Sequence, residues 1–545
     1  MRIRGVIAAT AVILTLLLSL DILYLPVIKS NEAANFSAER VKRDIEIISQ
    51  KPHSIEHPVE RAEVRDYLAQ RLTEIGLKVS YLRYDSILDR FGIHRDIANL
   101  YSVCEPPGRS VGSYVMLMAH MDSRFANQVK DRVVYSYGAA DDGYGLGSIL
   151  ELASLALKYR DSWSQGLKIL FTDSEESDLE GIRSALKNDS RIFDNVGLII
   201  NIEARGVRGP AALFETSSRN EAVIDLYSKS VNPFAYSLTS AVYKILPNYT
   251  DFSLIKDSYP GMNFAVIDDL NHYHTHLDNF DNISLRSIQH YGNQIEPVLK
   301  EYLVNSKYKD PRYLVKENDT VYFTLPYLGL FRLSRVGYLS VKTVLLFLFA
   351  LSSAIFLKRG RISFKKLFPL LFLNITFLAL ISGVGYLVSV IFANFNNLDY
   401  KLINLAHVDG DKIIALSLTL FSLALYALFY LKFIKSGRFT PIHFLWSAIF
   451  LIYLLSIIAL FLTGDSVLFF VTVIPCSLIF VLRIFIFSRL LSLWVVLITL
   501  LFVAPLLISL YAALAFGALC IIIPLVNLFV WILTPVMHSF ISGDI

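Results

Sequence analysis

Two patterns of apolar and polar positions divide the chain. Up to about residue 310, short apolar runs alternate with amphipathic stretches; from Gly337 on, long apolar runs follow one another with brief polar breaks. In the first part, Tyr114–Met118, Leu167–Phe171, Val196–Ile202 and Asn263–Ile267 predict strands, while Gly145–Lys158 and Ser284–Leu303 predict helices. That alternation points to an α/β domain with a mostly parallel, mixed sheet covered by helices. In the second part, the runs 339–357, 367–393, 413–431, 441–463, 466–487, 490–510 and 512–534 approach or exceed the ~20 residues of a membrane span. They predict a transmembrane α-helical bundle. A further run from Gly5 to Ile28, broken only by Asp21, follows Met1-Arg2-Ile3-Arg4. It is longer than the ~7–15-residue core of a cleaved signal peptide and has no small-residue cleavage site, so it reads as a signal anchor. The expected plan is an anchor helix over 1–30, an α/β domain over 31–310, a connecting segment over 311–337 and a bundle of about seven spans over 338–545.

Composition sharpens this division. Of 545 residues, 54% are hydrophobic and 18% charged, against roughly 25% charged in soluble domains. From Gly337 on, 13 Lys and Arg face 5 Asp and Glu; before it the balance is 38 against 42. The net charge of +4 therefore sits in short loops between spans and implies no nucleic-acid partner. The loop Lys358-Arg359-Gly360-Arg361 with Lys365 and Lys366 is basic, the next, around Asp399, Asp409 and Asp411, is partly acidic, and Lys432, Lys435 and Arg438 are basic again. This alternation follows the positive-inside rule. It puts the 358–366 loop in the cytoplasm and the α/β domain outside it, in a periplasmic, extracellular or lumenal space. Arg483, inside one run, lies near enough to its end to snorkel. Three cysteines in the whole chain provide no disulfide framework.

Candidate chemistry gathers where the strands end. The first predicted strand runs into Ala119-His120-Met121-Asp122-Ser123, and Gly138-Ala139-Ala140-Asp141-Asp142-Gly143 leads into a helix. The next two strands end in Thr172-Asp173-Ser174-Glu175-Glu176 and Asn201-Ile202-Glu203-Ala204; His272-Tyr273-His274-Thr275-His276-Leu277-Asp278 follows the last. Each motif alone has a plain reading: a hydrogen-bonded surface pair, a turn, or a solvated helix start. Together they bring carboxylates and imidazoles to the edge where open α/β sheets bind ligands. Such carboxylates repel one another without a cation, and these donor types suit Zn²⁺.

The ordered motifs His-x-Asp, Gly-Ala-x-Asp-Asp, Glu-Glu, Asn-x-Glu and Tyr-His-Thr resemble the co-catalytic dizinc aminopeptidase family, over about residues 35–308. The family's membrane-anchored branch, similar to the endoplasmic-reticulum metallopeptidase and the fungal vacuolar membrane protease, shares the layout of a peptidase domain followed by a multi-span bundle. The resemblance implies an α/β zinc-peptidase domain with two zinc ions, held by His120, Asp141, Glu176, Glu203 and His274. In it Asp141 would bridge both ions, His120 and Glu203 would hold one, and Glu176 and His274 the other. Glu175 would be the general base, and Asp122 would orient His120. His272 and His276 read as flanking polar residues. Many soluble members carry Asp where this chain has Glu203. Glu175 and Glu176, taken as a strand end, would point to different sides. The function expected is a membrane-anchored metallopeptidase of aminopeptidase type, with peptide substrates and the lipid bilayer as partners. Alternatives are a glutaminyl-cyclase-like or catalytically altered relative, or a transporter with an accessory α/β domain.

Overall fold

The computed structural model describes residues 2–20, 25–29, 35–243, 249–325, 327–463 and 489–542. They form two units, Leu23–Thr324 with Leu328–Ser334, and Met1–Ile22 with Leu325–Tyr327 and Arg335–Ile545.

The first unit is built on strands β1 (Val79–Leu88), β2 (His94–Cys104), β3 (Tyr114–His120), β4 (Asn127–Val129), β5 (Arg132–Val134), β6 (Gly166–Thr172), β7 (Val196–Ala204), β8 (Arg208–Thr216) and β9 (Gly261–Asp268). Seven of them form one sheet in the order β1-β2-β6-β3-β7-β9-β8. The central β6, β3, β7 and β9 are mutually parallel; β1, β2 and β8 extend the sheet antiparallel at its two sides. Every residue of β6 and β7 is buried, because helices cover both faces. The four runs read as strands are these four parallel strands. The sequence reading missed the outer strands because they mix polar with apolar residues; β1, at the edge, is largely exposed.

The helices Gly143–Leu157 and Leu285–Val304 are close to the ranges read from the sequence. The helix Pro58–Glu74 is tied to the sheet by a buried ion pair. Arg61 Nη1 donates to Asp173 Oδ1 at 2.9 Å and to Ser174 Oγ at 2.7 Å, and Ala98 N donates to Asp173 Oδ2 at 2.9 Å. Asp173 and Arg61 are both buried, and the only other cation paired with Asp173 among the described residues, Arg65, is farther away at 3.5 Å, so losing Arg61 leaves the carboxylate poorly compensated. Arg61→Ala is expected to destabilise this unit by about 3 kcal/mol, the lower end for breaking a buried pair, read as a fall in its unfolding midpoint. An unchanged midpoint would show that the pair is not holding the β6 end.

The second unit contains, among the described residues, six helices long and apolar enough to cross a membrane: Arg335–Lys358, Phe364–Phe395, Asp411–Lys435, Pro441–Ile458, Leu493–Leu514 and Phe516–Ser542. The run 466–487 and Arg483 lie outside the described residues. The last two spans are divided around Ala515, at φ +64°, rather than at 511. The N-terminal helix, Arg2–Ser19, has 18 residues and is shorter than the apolar run that predicted it. Leu25–Lys29 is not helical, as expected next to Pro26, whose ring disfavours helical geometry in the residue before it. Two buried asparagines link helices in this unit. Asn374 Nδ2 donates to Ser447 Oγ at 2.9 Å, and Asn527 Nδ2 to Ser422 Oγ at 2.8 Å. Helices approach closely at Gly385, where an added Cβ would lie 2.9 Å from Cys520 N; small residues serve such crossings.

Candidate metal centre

The strand ends converge as the motif order suggested. His120 is the last residue of β3, Glu203 lies near the end of β7, and His274 sits in the loop after β9. Asp141 precedes the helix Gly143–Leu157. Its neighbour Asp142 caps that helix by accepting from Gly145 N at 3.1 Å, and also accepts from His120 N at 3.2 Å. The cap needs glycine beyond it, since a Cβ at Gly145 would lie 2.4 Å from Asp142 Oδ2.

Two groups of donors result, His120–Asp141–Glu203 and Asp141–Glu176–His274, each with ligand atoms within 4.8 Å of one another. Asp141 belongs to both. Its Oδ1 is 3.1 Å from His120 Nε2, its Oδ2 3.2 Å from His274 Nε2. Glu203 Oε2 is 3.6 Å from His120 Nε2, and Glu176 Oε1 is 2.9 Å from His274 Nε2. His274 has φ +58°, a left-handed backbone that non-glycine residues adopt at some expense and that often marks functional sites. His272 and His276 are in neither group.

Glu175 and Glu176 lie beyond the end of β6, in a turn that follows Ser174 at φ +60°. They are therefore not separated by strand alternation, as the sequence suggested. Asp122 fixes this turn: its Oδ1 accepts from Glu175 N at 2.9 Å and its Oδ2 from Glu176 N at 3.2 Å. His120 Nδ1 is 2.9 Å from the backbone oxygen of Asp122 and 3.5 Å from its Oδ1. Asp122 thus touches His120 mainly through its main chain, while its carboxylate holds the Glu-Glu pair.

Two supports had little signal in the sequence. Asp278 anchors the Asp141 loop, accepting from Ala140 N at 2.7 Å and Ser136 Oγ at 3.0 Å. Arg124 Nη1 donates to Glu176 Oε2 at 2.7 Å, leaving Oε1 toward His274. Asp278 closes the last motif and could have been flagged; nothing local marks Arg124.

The electrostatics fit a cation. Burial and facing carboxylates push the Glu175 and Asp142 carboxyls well above their usual range, and burial pushes Glu203 up to about 8. Burial also acts on Glu176, but His274 and Arg124 outweigh it and hold that carboxylate well below its usual range. Asp141 Oδ2, Glu176 Oε1 and His274 Nε2 are buried without a hydrogen bond, although they lie within 3.2 Å of one another pairwise at His274. Three such donor atoms converging in a buried group suit a metal ion, and the imidazole–carboxylate set suits zinc.

Residues 99–299 match peptidase family M28. Rat (Rattus norvegicus) endoplasmic reticulum metallopeptidase 1 is 31% identical over 235 residues, covering 41% of this chain and 26% of that protein. The vacuolar membrane protease of Metarhizium robertsii is 31% identical over 183 residues, 33% of this chain and 16% of its own. The chain thus spans about a quarter or less of the length of these two relatives. Among solved structures, a zinc-dependent exopeptidase from Parabacteroides distasonis and a glutaminyl cyclase from Porphyromonas gingivalis both have TM-score 0.40 and 19% identity. Each covers 49% of this chain and 99% of its own.

Proposed function

We propose that this chain is a membrane-anchored metallopeptidase of aminopeptidase type that holds two zinc ions between His120, Asp141, Glu203, Glu176 and His274. The observation that carries the reading is the pair of buried donor groups sharing Asp141, with Glu175 adjacent in sequence and in neither group. Zinc bound there supplies Lewis acidity, acidifying water and polarising the scissile carbonyl. The residues do the rest. Glu175 takes the water's proton and delivers it to the leaving amine. Asp122 holds the main chain of that base, Arg124 keeps Glu176 in one orientation, and Asp278 keeps the Asp141 loop in place. A metal assay of the purified full chain, with a panel of aminoacyl and N-blocked peptides, tests this. Zinc-dependent cleavage of free-amino substrates alone is expected. Cleavage of N-blocked peptides would overturn the aminopeptidase reading, and zinc-independent cleavage the whole.

The same reading places the peptidase unit outside the cytoplasm. It is supported by the helix Arg335–Lys358, which ends at the basic loop Lys358–Lys366. A tag inserted between Ser30 and Ser37 is expected to be inaccessible from the cytoplasmic side, and one within Lys358–Lys366 accessible. Protease protection that puts both on one side would refute the topology.

A further inference from the structure

Behind Glu203 a row of buried polar side chains crosses three strands of the sheet. Asn201 on β7 is paired in register with Asn263 on β9, and Asn263 with Glu215 on β8. All three are buried. Asn201 Nδ2 donates to Glu203 Oε1 at 3.1 Å and to Asn263 Oδ1 at 3.0 Å. Asn263 Nδ2 donates to Glu215 Oε2 at 3.2 Å and to Thr250 Oγ1 at 2.9 Å. Lys256 Nζ closes the row on Glu215 Oε1 at 2.5 Å. A register irregularity between Leu213 and Glu215 inserts Phe214, so that Glu215 rather than Phe214 faces Asn263. Bulges of this kind re-aim side chains beside functional sites.

The row has one polarity. A carboxylate only accepts, so Glu215 requires Asn263 to present its NH₂ on that side and its oxygen to Asn201. Asn201 must then present its own NH₂ to both Asn263 and Glu203. The ion pair at one end thus dictates that a donor meets Glu203 Oε1 at the other. That leaves Oε2, the oxygen 3.6 Å from His120 Nε2, as the one turned to the donor group.

From this we infer that Asn201, Asn263, Glu215 and Lys256 are positioning residues that hold Glu203 as a one-oxygen metal ligand. The inference rests on the zinc reading above. Groups that orient metal ligands typically change metal affinity by ~10–100-fold when removed. Zinc affinity of the full chain in detergent, measured by competition with a chromophoric chelator, is the test, with unfolding of the chelated protein measured alongside. Asn201→Leu is expected to weaken one zinc-binding step by ~10–100-fold. Lys256→Met, remote from Glu203, should weaken the same step by roughly tenfold, and Lys256→Arg should restore it. Lys256→Met also leaves the buried Glu215 without its ion partner, so the chelated protein should unfold at a lower midpoint. The zinc loss should nonetheless persist at temperatures where the variant is fully folded, which a packing role alone would not produce. Folded variants that keep the parent's zinc affinity, or a loss that only tracks the chelated midpoint, would overturn the inference. Should Asn201→Leu not fold, Lys256→Met decides. A parent chain that binds no zinc overturns the zinc reading itself, and this inference with it.

Discussion

Asp141→Ala is expected to remove most bound zinc and to lower kcat/KM by roughly 10³-fold or more. Asp141 is the one side chain in both donor groups, so its loss weakens both sites, whereas every other ligand serves one. The several kcal/mol that a Lewis-acid metal contributes to the transition state correspond, at ~1.4 kcal/mol per factor of ten, to that size of loss. The substitution is interpretable because the main chain has its own anchor: Ala140 N and Asp141 N donate to Asp278 Oδ1 and Oδ2 at 2.7 and 3.3 Å. The loop keeps its course, and the change falls on the cluster. Glu176 and Glu203 then face each other with less cation between them, so stability should fall together with metal content. Elemental analysis and a thermal melt of the full chain check both. Two metals per chain with normal activity would refute the ligand assignment.

How much of this was legible in the sequence depends on whether the signal was local. The four parallel strands are buried on both faces and so read as continuous apolar runs, and the donor motifs stand just beyond them because strand ends are where such a sheet can expose polar groups. The antiparallel strands had no such signature. β1 has one buried residue, Tyr84, in ten, and β8 is recognised only through its pairing with β9. The groups that support the ligands are also non-local. Arg61 reaches Asp173 across 112 positions, and Arg124 reaches Glu176 across 52; neither pair leaves a spacing that could be read. Asn201 belongs to the Asn-x-Glu motif, yet its cross-strand neighbours Asn263 and Glu215 follow only from the sheet order. In the membrane unit, hydropathy marked the spans by length, but the links at Asn374 and Asn527 are uncharged and passed unnoticed among the apolar residues.

The paired substitutions Glu175→Gln and Glu176→Gln separate base from ligand. Both residues lie in one turn whose backbone amides are bound by Asp122, so neither change should displace the main chain. Glu176 Oε2 is held by Arg124 and its Oε1 lies 2.9 Å from His274 Nε2; Gln at this position replaces an anionic donor with a weak neutral one. Zinc occupancy should fall first, activity should follow it, and excess zinc should restore part of both. Glu175 is buried and in neither donor group. Gln there keeps the shape but cannot accept a proton, so zinc content and fold should be retained while kcat drops by the ~10²–10⁴-fold typical of general-base loss. Added zinc should restore nothing. The measurements are zinc per chain, kcat at saturating peptide, and kcat against added zinc for both variants. The opposite pattern of rescue would exchange the two roles. Full activity in both would make the pair a structural turn, and the peptidase reading would fail with it.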